Sequence, residues 1–376
     1  MTRRPKTGHT GKTEPSTVPG RPPLLGHTAA LLRRHLAFRA DLRKRGPVAR
    51  IHLGPLPLHL VTAAELAHQV LTGETAKFDK GISADKLRRA FGNGLVGING
   101  DFHRRQRRMI RPAFHRRSRT RYSETMTAPA ADVANSRRDG QVLRLDRVVR
   151  DPAISVVGRT VFSADSELAV SAEIRAHPPT SIRLGAVHAL SPAGLEKPPI
   201  PENRRVDPAV APVHRVVDDV LVDRAATVDD LRRPPNPRRV ISEVPRRYPP
   251  WLVLRRTNTS VPPAGVRVPA GTEVGFSAHA LHHDPRHHDD PARSDPDRRL
   301  PDRAALPKGA YVPFAGGPHH CPGHAFAHIG IAVVAATPAA RRRLVPVPGV
   351  PVRPGVTGLL DPNRLPMTVL SRRCAA

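Results

Sequence analysis

The segment Phe314-Ala-Gly-Gly-Pro-His-His-Cys-Pro-Gly323 sets one cysteine, Cys321, in a glycine-rich loop ahead of an apolar run. Glycines at 316, 317 and 323 permit turns with positive φ and let a flat ligand lie against bare main chain. Amides at the start of the following helix, with His319 and His320 beside them, would stabilise a thiolate. A lone thiolate on such a loop suits axial ligation of a porphyrin iron. The same string also reads as one small hydrophobic side chain in a Gly/Pro turn. Two further spacings carry chemistry. His103 and Arg107 stand four apart, which on a helix aims both at one anion. Glu243 and Arg246 stand three apart, on one helix face where they can pair.

Elements must position these residues. Ala29–Arg45 has the apolar spacing of an amphipathic helix, and Val48–Val61 reads as a hairpin broken at Gly54, Pro55 and Pro57. Ala63–Leu71 and the basic Phe102–Arg111 are helical in pattern. A mixed-charge helical stretch is expected from Ser123 to about Val187. The chain then turns Pro-rich between Ser191 and Val206, and helical spacing returns over Val216–Leu231. Short strands are expected from Val261, a turn-rich His/Asp/Pro/Arg region to about Pro307, a helix after Gly323, and strands again over Val345–Leu370. Residues 1–20 read as a disordered basic tail, and 21–376 as a single domain.

The chain of 376 residues carries 61 Lys and Arg against 32 acids, a formal charge of +29, which favours polyanions or acidic proteins as partners. No stretch approaches the ~20 apolar residues of a membrane-spanning helix. Two cysteines, Cys321 and Cys374, cannot build a disulfide framework, and Met1–Pro19 lacks the apolar core of a signal peptide, so a cytoplasmic location is expected. Two other functions compete. The arginines at 104, 105, 107, 108, 111, 116, 117, 119 and 121 could grip nucleic-acid phosphates, but aromatics for base stacking are scarce at 3%. His279, His282, His283, His287 and His288 could ligate a metal, but no periodicity aims them at one point, and they read as solvated loop histidines.

The pattern Phe-x-x-Gly-x-x-x-Cys-x-Gly at 314–323 resembles the haem-binding signature of the cytochrome P450 superfamily. Ile241-Ser-Glu243-Val-Pro-Arg246 resembles its Glu-x-x-Arg helix. Pro291-Ala-Arg293-Ser-Asp-Pro-Asp-Arg298 resembles its meander, whose arginine, placed at Arg293, completes a Glu-Arg-Arg cluster. Gly100–Phe114 resembles its propionate-binding helix. The resemblance runs from about Pro19 to about Leu370. It implies a mainly α fold with a minor β lobe, and haem (iron protoporphyrin IX) as cofactor. It further implies monooxygenation of a small organic substrate, with electrons from an acidic ferredoxin or flavodoxin-like partner. On this resemblance Cys321 is the axial thiolate, Phe314 packs beside the sulfur, and Gly317 and Gly323 shape the loop. His103, Arg107, Arg255 and His319 hold propionates, the last a weaker, pH-sensitive contact where Arg is common. Glu243, Arg246 and Arg293 brace the proximal side.

The chain also departs from the family. The Ala-Gly-x-acid-Thr stretch of its long central helix has no counterpart, because Ala193-Gly-Leu-Glu-Lys197 runs into Pro198-Pro199, which excludes a long helix. An internal deletion near 187–216 is therefore expected, and with it a haem-binding remnant impaired in oxygen chemistry as the alternative function. Pro245 interrupts the Glu-x-x-Arg helix, Ser294, Arg299, His287 and His288 replace large apolar or aromatic residues, and Gly330 replaces a usual Glu.

Overall fold

Alternating apolar residues in Val48–Val61 pair as β2 (Val48–Leu53) and β3 (Leu56–Val61), with Ile51 opposite Leu58 and Gly54 at φ +61° in the tight turn. The computed structural model describes residues 15–114 (except 21, 23, 24, 34 and 92), 126, 127, 131, 135, 138–148, 235–249, 253–262, 267–300, 302, 303, 305–351, 354–356, 360–362 and 364–371. The helical stretch expected from Ser123 lies largely outside these residues. The Pro-rich stretch, Val216–Leu231 and the expected deletion lie wholly outside them.

Among the described residues the hairpin is the centre of a six-stranded sheet ordered β1-β2-β3-β7-β6-β4. Its other strands are β1 (Ser16–Thr17), β4 (Phe78–Lys80), β6 (Val253–Thr257) and β7 (Glu273–Phe276). β1 and the buried Val18 fall inside the expected N-terminal tail, so the ordered chain starts before residue 20. On one side Leu31 and Leu42, from α1 (Thr28–Arg33) and α2 (His35–Leu42), pack with Ile51, Leu58 and Leu60. The single helix expected over 29–45 is thus two helices and a terminal turn. On the other side Leu66 and Leu71, from α3 (Ala64–His68) and the turn after it, pack with Val274, Phe276 and Leu281. A second sheet, β5 (Val142–Arg144), β11 (Pro366–Ser371) and β8 (Arg342–Pro346), closes around Leu143, Met367 and Val369, and β9 (Pro354–Val356) pairs with β10 (Leu360–Pro362) as a separate hairpin.

Three helices bear the site. After α4 (Ile82–Phe91) comes α5 (Gly100–Ile110), which matches the expected basic helix and turns His103 inward while Arg104, Arg105 and Arg108 stay exposed. α6 (Pro235–Arg247) carries Glu243 and Arg246, and α8 (His324–Arg341) follows the Cys321 loop, with the short α7 (Ala278–His282) between them in sequence. Ile241 of α6 packs with Met126 and with Ile329, Ala332 and Val333 of α8. A Cβ on Gly330 would meet Met126 Sδ at 3.7 Å, so the buried methionine fills the notch left where the family has a larger side chain.

α6 continues through Pro245, with Tyr248 N–H donating to the Val244 carbonyl at 2.8 Å. The proline lacks the N–H that would bond the Ile241 carbonyl and crowds the turn before it. Pro245→Ala is expected to raise unfolding stability by up to about 3 kcal/mol, read as a higher denaturant midpoint at unchanged slope.

Candidate functional site

The Cys321 loop is seated by its backbone. Cys321 N–H donates to the Phe314 carbonyl at 3.0 Å, and Gly317–His319 form a single tight turn. Gly317 has φ +61°, and a Cβ there would collide with the Leu71 carbonyl, so glycine is required on both counts. Ala315 takes the same left-handed conformation at φ +58°, which costs an alanine about 1–2 kcal/mol. Gly323 lies over the sulfur, since its Cβ would stand 3.9 Å from Cys321 Sγ and 3.7 Å from the Phe114 ring. The Phe314 ring meets His324 at 6.1 Å and His328 at 5.3 Å, while its carbonyl fixes the cysteine. Cys321 itself is exposed at the wall of a cleft of about 640 Å³, which is also lined by His103, Arg107, Phe114, Pro318 and His320.

Around His103 and Arg107 of that lining, positive groups from four separate segments converge. Lys80 of β4 lies directly opposite Arg255 of β6 in antiparallel register, a like-charge pairing that by itself opposes the ladder. His103 and Arg107 come from α5, and the His103 and His319 rings lie 4.6 Å apart. Burial and the neighbouring Lys80, Arg107 and Arg255 hold His103 down at about 4. Burial, then Arg255, Lys80, His103 and Arg107, hold His319 down at about 3. Burial with Arg255 and Arg107 lowers Lys80 to about 8, and burial lowers Arg255 to about 10. His319 is therefore neutral at physiological pH until an anion arrives.

This donor set fits haem. Two carboxylates on one edge of a flat ligand would neutralise the converging cations, and His319 Nδ1, buried without a hydrogen-bond partner, is placed among them. A single sulfur stands beside a bare glycine at the other wall. The residues expected to act together thus come together: His103, Arg107, Arg255 and His319 in one cluster, and Phe314, Gly317, Cys321 and Gly323 in one loop. Lys80 also belongs to the cluster. Its ammonium donates to the Leu95 and Ile98 carbonyls, and its backbone N–H donates to Asn99 Oδ1, tying the turn before α5 to β4. Phe78-Asp-Lys80-Gly81 is visible in sequence, but nothing there places it opposite Arg255.

The proximal brace corrects one expectation. Glu243 and Arg246 form a buried bidentate pair at 2.7 Å on both arms. The side chain that joins them is Arg298, with Nε 3.4 Å from Glu243 Oε1, whereas Arg293 is exposed and contributes its backbone carbonyl to both Arg246 and Arg298. The stretch contains two Pro-x-Arg triplets, at 291–293 and 296–298, and the second one lies on a short 3₁₀ turn that reaches back to α6. Arg299, where an aromatic is usual, stacks on Tyr311 at 3.5 Å. The histidines expected to be solvated are also corrected: His279, His282, His283 and His288 are buried in the core. Among the described residues no group of three or more His, Cys, Asp or Glu could hold a metal ion.

A β-rich lobe against helices, a cysteine loop under a cationic cleft and a buried Glu-Arg-Arg brace define a haem-thiolate type of site. The cytochrome P450 family model matches residues 17–174 and 210–354, and the chain belongs to that family. Its cofactor is haem, and it is a P450-type monooxygenase. It is 33% identical to cyclooctat-9-en-7-ol 5-monooxygenase of Streptomyces melanosporofaciens over 433 aligned positions, covering 93% of this chain and 94% of that one. It is 28% identical to pentalenene oxygenase of Streptomyces avermitilis, covering 95% and 97%. The fold matches retinoic acid-bound cyanobacterial CYP120A1 with a TM-score of 0.74 at 18% identity, over 96% of this chain and 99% of that one. Among the described residues no helix is long and apolar enough to cross a membrane.

The crowding of cations separates two effects of one substitution. Arg107→Gln is expected to weaken haem binding about tenfold or more, the loss of one charge-assisted contact. The haem-free protein should not be destabilised, because its remaining cations repel less. Haem titration by absorbance and denaturant unfolding of the haem-free protein read the two effects.

Proposed function

We propose that Cys321 would supply the thiolate that holds haem in a monooxygenase acting on a largely hydrocarbon substrate. A cysteine loop that shares its cleft with His103 and Arg107, themselves part of a cluster of cations, carries the reading. Haem ligated through a thiolate supplies dioxygen activation. The chain's own residues bind and orient it. His103, Arg107, Arg255 and His319 take the propionates, with Lys80 adding charge and holding the turn that precedes α5. Gly317 and Gly323 let the loop lie close, and Glu243, Arg246 and Arg298 keep the proximal side rigid. The substrate class rests on the relatives' names, an alkenol for one and, for the other, pentalenene.

Electrons come, in this reading, from an acidic ferredoxin or flavodoxin-like protein. Arg104, Arg105, Arg108 and Arg111 are exposed on and just after α5, and Phe102 and Met109, seven apart on the same helix, are 48% and 63% exposed. Charge draws the partner in, and the two apolar side chains give it a dry contact. With β1 and Val18 joined to the main sheet, residues 15–376 act in this reading as one haem domain.

A second reading is a member of the same family that binds haem but turns over poorly. One observation favours it. The alignment with the cyclooctat-9-en-7-ol 5-monooxygenase spans 433 positions, yet 93% of 376 residues is about 350, so about 80 positions stand opposite no residue of this chain. The missing Ala-Gly-x-acid-Thr stretch accords with a gap on the oxygen side.

Purified protein, reduced under carbon monoxide, is expected to show the Soret band of thiolate-ligated haem, and Cys321→Ala to abolish it. Product formed from a cyclic alkene supports the first reading. A normal band with no product under a competent electron supply supports the second, and loss of the band in the unaltered protein overturns both. Reduction by an acidic ferredoxin should slow several-fold as ionic strength rises from 0.05 to 0.5 M; a rate indifferent to salt removes the docking face.

A further inference from the structure

The segment 279–288 brings four imidazoles into the core beside the Glu-Arg-Arg brace. His279, His282, His283 and His288 are 5%, 0%, 7% and 3% exposed. The His279 and His283 rings stack at 3.9 Å, and the His282 ring stacks on Tyr311 at 5.1 Å. Hydrogen bonds fix the protonation of two of them. His282 Nε2 lies 2.8 Å from the Val312 backbone N–H, so it must be the acceptor. His283 Nε2 lies 3.0 Å from Arg247 Nη1, and a guanidinium only donates, so this nitrogen accepts while Nδ1–H donates to the His279 carbonyl. A proton on either acceptor nitrogen would set two donors face to face in a dry site.

These bonds lie between the brace and the cysteine loop. Val312 precedes Phe314 by two residues, its carbonyl takes the Ala315 N–H, and the Phe314 carbonyl takes the Cys321 N–H. Arg246 donates to the His282 carbonyl from the other side. We propose that the cluster is an acid-sensitive latch, in which unprotonated His282 and His283 hold the 310–314 segment and α6 against α7, and acid releases the Cys321 loop from its brace. The inference rests on these hydrogen bonds and stands whether or not the monooxygenase reading holds.

The surrounding charges agree. His282 is faced by His288, His283 and Arg246; His283 by Arg246, Arg247 and Arg43; His279 by His283, Arg39, Arg247 and His282. His288 is faced by Arg246, Arg298 and Glu243, and Glu243 is already shared between Arg246 and Arg298. Asp284, the other nearby carboxylate, is bound by Arg286. Burial first, then these cations, push His279 and His282 well below the ordinary imidazole range, His283 to about 3 and His288 to about 4. All four are depressed in the closed form, so the open form takes up more protons. The closed form is fully favoured above about 6.5, and it loses ground as pH falls towards 4, by up to about 10⁴-fold per pH unit if all four titrate.

Hydrogen exchange of the haem-loaded protein between pH 7 and 4 tests this. Amides of 310–315 should lose protection with the uptake of two to four protons, at a higher pH than amides of β8 and β11, a sheet without histidine. His282→Gln, which keeps an acceptor for Val312 but does not titrate, should shift that transition to lower pH and reduce the uptake by about one proton. The proposal is overturned if the unaltered protein takes up one proton or fewer, or if 310–315 and the β8–β11 sheet open together. It is overturned equally if His282→Gln folds and leaves midpoint and slope unchanged. Should that variant fail to fold, the proton count of the unaltered protein decides alone.

Discussion

Like charge gathered without a counter-ion among the described residues is the constraint on which this structure depends. Lys80 and Arg255 are paired across two strands, Arg107 reaches in from α5, and His103 and His319 are squeezed neutral between them. The groups acting most strongly on each imidazole are cations, and no side-chain carboxylate is among them. Such a cluster opposes folding by itself and is relieved by a dianion. In the proposed reading the fold stores, beside a cleft, affinity that a cofactor's carboxylates would satisfy. Cofactor binding and stability become linked quantities. Lys80 carries the link further, because the same ammonium that repels Arg255 also holds the Leu95 and Ile98 carbonyls in the turn leading into α5.

The brace on α6 is governed by hydrogen-bond saturation rather than by repulsion. Arg246 uses all five of its N–H donors: two on Glu243 and one each on the carbonyls of His282, Pro291 and Arg293. A buried guanidinium so fully occupied has one orientation, and so do the three backbone segments it holds. Glu243 is equally committed, accepting the Asp295 N–H as well as Arg246 and Arg298. Lysine could not serve in place of Arg246, since a point charge with three donors cannot span five acceptors in a plane. The rigidity passes to the cysteine loop through short backbone contacts, not through the sulfur's own neighbours.

Local spacing made much of this visible in the sequence. The i, i+4 pair His103 and Arg107, the i, i+3 pair Glu243 and Arg246, and the Gly-x-x-x-Cys-x-Gly loop each need only a few residues to be recognised, and each forms as expected. What stayed hidden was long-range. Arg293 and Arg298 sit in equivalent Pro-x-Arg triplets, and only the path of the turn decides which guanidinium reaches Glu243. The 279–288 histidines lack periodicity, so nothing local distinguishes a solvated loop from a core stapled by carbonyls and arginines of other elements. Lys80 matters because of a strand partner some 175 positions away. The ordered chain begins ahead of residue 20 for the same reason, since Val18 is buried by β2, α1 and α2 and not by its neighbours in sequence.

The positions that depart from the family are not all losses. Arg299 replaces an aromatic and stacks on Tyr311, while Tyr311 donates its hydroxyl to the Ser242 carbonyl at 2.8 Å, so a polar contact chain stands where apolar packing is usual. His288 replaces another large side chain and reaches the Ala310 carbonyl. Met126 fills the space over Gly330. Ala315, by contrast, has no such compensation and holds a glycine conformation at an energetic cost. The compensated positions belong to the segments around the Glu243–Arg246 brace and to α8, which follows the Cys321 loop. A proximal wall rebuilt from histidine and arginine keeps its geometry, but it does so with groups whose hydrogen bonds require particular protonation states. Apolar packing would be indifferent to pH; this wall exchanges that indifference for directional contacts, and its integrity becomes a function of proton activity.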